Sequence, residues 1–158
     1  MNIFVLDSDI KTCAQYHCDK HVVKMIVEYA QMLSTTVRLT TTENIGYKIT
    51  HKNHPCTIWT RESLSNWKWL RSLAKELNDE YKFRYGKEIN HKSFDVIETL
   101  PEPKISDIGL TKFPMAMPEH CKQKTVIDSY RNYYITEKKD FVSWKTREKP
   151  TWFENKSK

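Results

Sequence analysis

The sequence predicts a mainly α fold: a single compact helical domain over residues 1–158, with a short extended N-terminus and an irregular aromatic C-terminal segment. Three observations carry that reading. Apolar residues recur at helical rather than alternating spacing in two long segments. The residues that punctuate those segments are caps and breakers: the chain has only three glycines, and four of its six prolines fall between residues 101 and 118. A chain of 158 residues also suits one core, since roughly two-thirds of the unfolded surface is buried at this size.

Residues 3–6, Ile-Phe-Val-Leu, are apolar and partly β-branched, and read as an extended start. Ser8 or Asp9 is a candidate N-cap for a helix that begins near Ile10. One long helix is expected from there to about Leu39, with Val22, Val23, Met25, Ile26, Tyr29, Met32 and Leu33 at helical spacing. Thr40-Thr41-Thr42, Asn44 and Gly46 form a loop. Pro55 suits the first turn of a second long helix. Trp59, Asn66, Leu70, Leu73, Leu77 and Tyr81 then share a face, and Gly86 is placed to end it. A shorter helix covers Lys92 to Leu100, and residues 101–119 form a long irregular loop. A last helix is expected from about Lys122 to Asp140, followed by irregular or short helical structure over Trp144 to Phe153.

Composition excludes several classes. No stretch approaches the ~20 consecutive apolar residues of a membrane span. Three scattered glycines, Gly46, Gly86 and Gly109, rule out a Gly-rich phosphate loop, which needs clustered glycines for close backbone approach. The chain opens Met1-Asn2-Ile3-Phe4-Val5-Leu6-Asp7, which lacks the pattern of a secretory leader. Four cysteines without such a leader point to reduced thiols in a cytoplasmic compartment.

The formal net charge is +6, unevenly distributed. Residues 1–121 hold 16 basic and 15 acidic side chains, whereas residues 122–158 hold 10 and 5. That last quarter interleaves its charge with Tyr130, Tyr133, Tyr134, Trp144, Trp152 and Phe153. Cations for phosphates and flat faces for bases are what a nucleic-acid contact requires; a solvated basic tail is the competing reading.

On the first helix, His17, His21, Lys24, Glu28 and Gln31 are spaced 4, 3, 4 and 3, which places them on one face. Two imidazoles, an amine, a carboxylate and an amide in a row on an otherwise apolar helix suit general acid–base chemistry. A polar network packed against the second helix is the bland alternative. Cys13, His17, Cys18 and His21, with His51, His54 and Cys56, offer metal-ligand types. Their spacing matches no zinc finger or ribbon, so neither metal nor cofactor is expected. Trp59, Trp67 and Trp69 read as core and edge packing, and Phe113 to Pro118 as a cover over the core rather than a wedge between bases.

Several stretches resemble one family. They are His17-Cys18-Asp19-Lys20-His21-Val22-Val23-Lys24-Met25, Glu28-Tyr29-Ala30-Gln31-Met32-Leu33, and His54-Pro55-Cys56 with Trp59-Thr60-Arg61-Glu62-Ser63. Glu80-Tyr81, Arg84-Tyr85-Gly86, Ala116-Met117-Pro118, Tyr130-Arg131-Asn132-Tyr133-Tyr134 and Pro150-Thr151-Trp152-Phe153 continue the likeness over most of the chain. These resemble the phage pyrimidine-dimer DNA glycosylases, a family of endonuclease V-type glycosylase/AP-lyases. The resemblance implies cleavage of the N-glycosidic bond of damaged or modified pyrimidines in duplex DNA, then β-elimination at the abasic site. It implies Glu28 as the catalytic carboxylate, with His21 beside it.

The family's nucleophile is an N-terminal amine exposed by loss of methionine before a small residue. Here Asn2 is large, which disfavours that loss, so the candidate amines are those of Met1, Lys24 and Lys20, with Glu28-activated water as a further option. The DNA-binding residues expected are His17, Lys20, Arg131, Lys145, Arg147, Lys149, Trp152 and Phe153. The expected partner is duplex DNA, with no membrane, for a monomer in the cytoplasm (the host's, if phage-encoded). Two other classes stay open: an N-glycosidic hydrolase or transferase acting on nucleotides or modified bases, and a non-catalytic nucleic-acid-binding protein. An enzyme on duplex DNA needs both the Glu28 face and the basic tail; a nucleotide enzyme needs the first, a binder the second.

Overall fold

The computed structural model describes residues 1–156, and among these the secondary structure is helical with no strand. Residues 1–9 run extended into α1 (Ile10–Tyr16), where Asp9 is the N-cap and accepts from the Thr12 amide. Then come α2 (Asp19–Thr40), α3 (Pro55–Glu62), α4 (Leu64–Tyr85) and α5 (Lys92–Glu98). A long irregular stretch leads to a 3-10 turn (Glu119–Cys121), α6 (Val126–Glu137) and α7 (Thr151–Lys156).

The expected first helix is two helices, and its break has one local cause and two remote ones. The His17 ring donates from Nδ1 to the Cys13 carbonyl at 2.8 Å, which takes the acceptor that an α-helical His17 amide would use. That amide bonds Ala14 O instead. The next two amides are drawn to distant acceptors: Cys18 N–H donates to the Tyr134 hydroxyl at 3.1 Å, and Asp19 N–H to Ser143 O at 2.8 Å. The helix therefore stops and restarts.

A second break follows the same logic. Ser63 is extended, and the Leu64 amide donates to Ser106 O at 3.0 Å. The Ser63 hydroxyl donates to Asp107 and accepts from the Ile108 amide. The 101–119 loop thus divides the second expected helix into α3 and α4. Gly86 ends α4 at φ 60°, a left-handed conformation that glycine adopts without a Cβ penalty. The helix expected over 122–140 is shorter at both ends, because Thr125 caps it at the Asp128 amide and Glu137 is its last residue.

Central α2 packs against α3, α4 and α5, and α1 lies on α4. Trp59, Trp67, Tyr29, Met32, Leu33, Leu70 and Leu77 fill the core between them, as expected for the first two Trp. Ile3 to Leu6 are also buried, so the extended start threads through the interior. The long loop covers the core: Phe113 stacks on Trp59 at 4.9 Å and meets Trp69 edge-on at 4.7 Å.

Beneath the C-terminal segment lies a buried ion network. Arg84 donates to Glu80 at 2.6 Å, to Asp19 at 3.1 Å and to Gln15 O at 2.7 Å, while Arg147 grips both Glu80 oxygens at 2.8 and 2.9 Å. Burial pulls the Glu80 carboxyl up, but the hydrogen bonds from Arg147 and Arg84 outweigh it and hold the pKa below the usual carboxylate value.

Candidate active site

The interior path of the N-terminus fixes where Met1 ends. Asn2 is the anchor: its Nδ2 donates to Ala116 O at 2.8 Å, and its Oδ1 accepts from the Tyr130 hydroxyl at 2.7 Å and the Ile3 amide at 2.8 Å. The Phe4 amide donates to the Tyr29 hydroxyl. With residues 2–4 so held, the Met1 α-amine lies 3.3 Å from Oε1 of Glu28. Oε2 of the same carboxylate is 3.9 Å from Nζ of Lys24, one helical turn earlier. Glu28 is 14% exposed and Lys24 67%, so the carboxylate is recessed and the lysine reaches into solvent.

These groups line a small open cleft together with His21, Tyr133 and Lys138. His21 stacks on Phe4 at 4.2 Å. Burial, followed by the nearby charges that include Lys138 and Lys24, lowers its pKa to about 2. It is therefore a neutral ring at ordinary pH. Its Nδ1 lies 2.7 Å from the Tyr134 oxygen, which also accepts from the Cys18 amide. Among the described residues no hydrogen bond engages Nε2.

His17 has the opposite arrangement. Nδ1 donates to Cys13 O, and Nε2 accepts from the Tyr29 hydroxyl at 2.9 Å. Burial lowers its pKa to about 4. Both nitrogens are engaged inside the protein, so the helix break removes His17 from the face it was expected to share. His21, Lys24 and Glu28 stay together there, joined by Met1. His54 was grouped with potential ligands, but its Nδ1 caps α3 by accepting from the Cys56 amide. Burial, then the charge of the α-amine, lowers its pKa.

Apart from the buried His17, the expected DNA-binding residues divide into two groups. Lys20 lies at the cleft side, 4.6 Å over the Phe141 ring, with Lys138 over Tyr133 at 4.9 Å and over Phe141 at 5.4 Å. The others sit on the C-terminal side and are largely engaged. Arg131 donates to Leu6 O and to Asp7, both at 2.9 Å, and stacks 5.4 Å over Trp152. Lys145 donates its backbone amide to Asp19 and lays its ammonium 4.7 Å over Tyr85. Arg147 is committed to Glu80. Phe153 is buried against Trp144, Trp152 is half-buried, and Lys149 is exposed. Tyr133, one of the aromatic faces expected to meet nucleic acid, lines the cleft, while the buried Tyr134 and the half-buried Phe141 pack behind it on His21.

A family model described as pyrimidine dimer DNA glycosylase matches residues 1–93. The chain belongs to the pyrimidine dimer DNA glycosylase family. The match covers the extended start and α1 to α4, and so includes Met1, His21, Lys24 and Glu28. The α6 side of the cleft, with Tyr133 and Lys138, lies beyond it. No curated protein and no solved structure matches the chain.

Proposed function

We propose that the protein is a bifunctional pyrimidine dimer glycosylase and AP-lyase, with the Met1 α-amine as nucleophile and Glu28 as its proton-transfer partner. The supporting observation is the 3.3 Å approach of that amine to a recessed carboxylate at the floor of an open cleft. An α-amine is intrinsically less basic than a lysine ε-amine, so more of it is free base at neutral pH. The amine lone pair attacks C1′ while the glycosidic C–N bond breaks and its electron pair leaves on the pyrimidine, which takes up a proton. The amine proton passes to Glu28. Sugar ring opening gives the Schiff base, and loss of a C2′ proton expels the 3′ phosphate.

His21 is the positioning donor: neutral, and directing Nε2–H at a sugar or phosphate oxygen. Lys20, Lys24 and Lys138 hold the backbone phosphates around the lesion. Tyr133 and Phe141 supply the faces against which an extruded base rests. Lys24 is the alternative nucleophile, because its ammonium approaches the other Glu28 oxygen, although at 3.9 Å and from solvent.

The test is strand nicking of ultraviolet-irradiated duplex DNA by wild type and by Glu28→Gln. Nicking by wild type, with binding retained and nicking lost in the variant, is expected. Unchanged nicking in Glu28→Gln refutes its role, and absence of nicking by wild type returns the nucleotide-enzyme and binder readings. Acetylation of the α-amine should abolish strand cleavage, and Lys24→Ala should spare it.

A further inference from the structure

Away from the cleft, three side chains of ligand type converge. His120 and Cys121 end the 3-10 turn, and Glu137 ends α6. One ligating atom from each, an imidazole nitrogen, a thiol sulfur and a carboxylate oxygen, lies within 4.8 Å of the other two. The backbone holds the turn in place independently of these side chains. The Cys121 amide donates to Pro118 O at 2.9 Å, and the Cys121 carbonyl accepts from Asn132 Nδ2 at 3.0 Å. His120 Nε2 and Glu137 Oε1 are already paired. Cys121 is buried, whereas the His120 and Glu137 side chains are 64% and 38% exposed, so the group is open to water on one side.

The donor set selects a class of metal. One sulfur, one nitrogen and one oxygen form a borderline set that suits Zn²⁺, which takes all three ligand types tetrahedrally at about 2.0–2.3 Å. Ca²⁺ and Mg²⁺ prefer oxygen alone, and Cu(I) prefers more sulfur. On such a tetrahedron the ligand atoms stand roughly 3.3–3.6 Å apart. An adjustment of about 1 Å, within the freedom of the two exposed side chains, closes the shell.

We propose that His120, Cys121 and Glu137 bind Zn²⁺, with water as the fourth ligand, and so clamp the end of the 101–121 segment onto α6. Binding forms the Zn–S bond as the Cys121 thiol loses its proton to solvent. Thr136 supports the thiolate. Its Oγ1 is 3.3 Å from Cys121 Sγ, and its hydroxyl, now donating to Asn132 O, turns to the sulfur. The clamp also bears on the cleft, since the same segment presents the Ala116 carbonyl that anchors Asn2.

Titration of tag-free, metal-free protein with Co²⁺ tests this by the thiolate-to-cobalt charge-transfer band and the visible bands of a tetrahedral ion. One equivalent should saturate the signal, and Zn²⁺ should displace it. Cys121→Ser should abolish the charge-transfer band while Cys13, Cys18 and Cys56 remain. His120→Ala and Glu137→Gln change exposed residues and leave folding intact. Each should weaken binding by more than the roughly 10–100-fold of an outer-shell change. Absence of a charge-transfer band in wild type with excess Co²⁺, or a band that persists unchanged in both His120→Ala and Glu137→Gln, overturns the proposal.

Discussion

The cleft at the N-terminus and the basic C-terminal segment use charge in opposite ways. The cleft draws most of its lining from the nearly neutral part of the chain, with Tyr133 and Lys138 from the basic part, and its groups keep unused capacity: an α-amine, a lysine and a recessed carboxylate meet there, and His21 has only Nδ1 engaged. The C-terminal segment carries most of the net positive charge, yet its arginines are engaged inward, Arg131 with Asp7 and Arg147 with Glu80. Excess charge counted along a sequence is therefore not charge available to a ligand. Arg131 and Arg147 fasten that segment to the extended start and to α4, whereas Lys24 and Lys138 line the cleft.

The same contrast separates the two histidines. Each is paired with a tyrosine whose oxygen accepts a backbone amide, Tyr29 for His17 and Tyr134 for His21. His17 has both nitrogens engaged and locks the break between α1 and α2. His21 has only Nδ1 engaged, which leaves Nε2 for chemistry.

The largest effect is expected in the cleft. Glu28→Gln should lower the rate of strand cleavage by about 10²–10⁴-fold, the usual range for a positioned acid–base group, with little change in Tm. Comparable energy is at stake in the C-terminal staple, but in stability rather than rate. Arg84→Ala should lower unfolding free energy by about 3–5 kcal/mol, because it leaves Asp19 and part of Glu80 uncompensated in the interior. Urea titration reads that loss directly, and an effect below about 1 kcal/mol would mean the network is no staple.

Acid should weaken the fold through the two histidines. Their folded-state pKa values, about 4 for His17 and about 2 for His21, lie below the ordinary imidazole value of 6.5. The unfolded chain therefore binds more protons between those limits, and stability present above pH 6.5 is lost as pH falls toward 4 and below. The His17 share is on the order of 3 kcal/mol by pH 4. Denaturation midpoints that do not move between pH 7 and pH 4.5 would place both rings in solvent.

The smallest effect separates the two kinds of cation. Lys20→Ala and Lys138→Ala should each reduce the salt dependence of duplex binding by about 0.9 in the log–log slope, as one lost phosphate contact does. Arg147→Gln should leave the slope unchanged, and a reduced slope there would show that its pairing with Glu80 opens on DNA.

The helical class and most of the cleft were legible from local pattern. Apolar spacing marks α2 and α4, Asp9 and Gly86 mark helix ends, and the His21, Lys24 and Glu28 spacing puts three site groups on one face. Other features depend on residues remote in sequence. The helix breaks at residues 17–18 and 63 arise because amides 19 and 64 are captured by Ser143 O and Ser106 O. No local signal carries those acceptors. The neutralisation of Arg131 and Arg147 requires Asp7 and Glu80, which lie far away along the chain and adjacent only after folding. Family likeness pointed to an N-terminal amine, but the anchoring of Asn2 by Ala116 and Tyr130, which brings Met1 to Glu28, depends on the tertiary path of the 101–119 loop.

Borohydride reduction of the protein on abasic duplex DNA, with the adduct mapped by peptide mass, tests the central claim most directly. A covalent adduct on the Met1 α-amine, blocked by an N-terminal extension and retained in Lys24→Ala, is the expected result. An adduct mapped to Lys24 or Lys20, or no adduct at all, would contradict it.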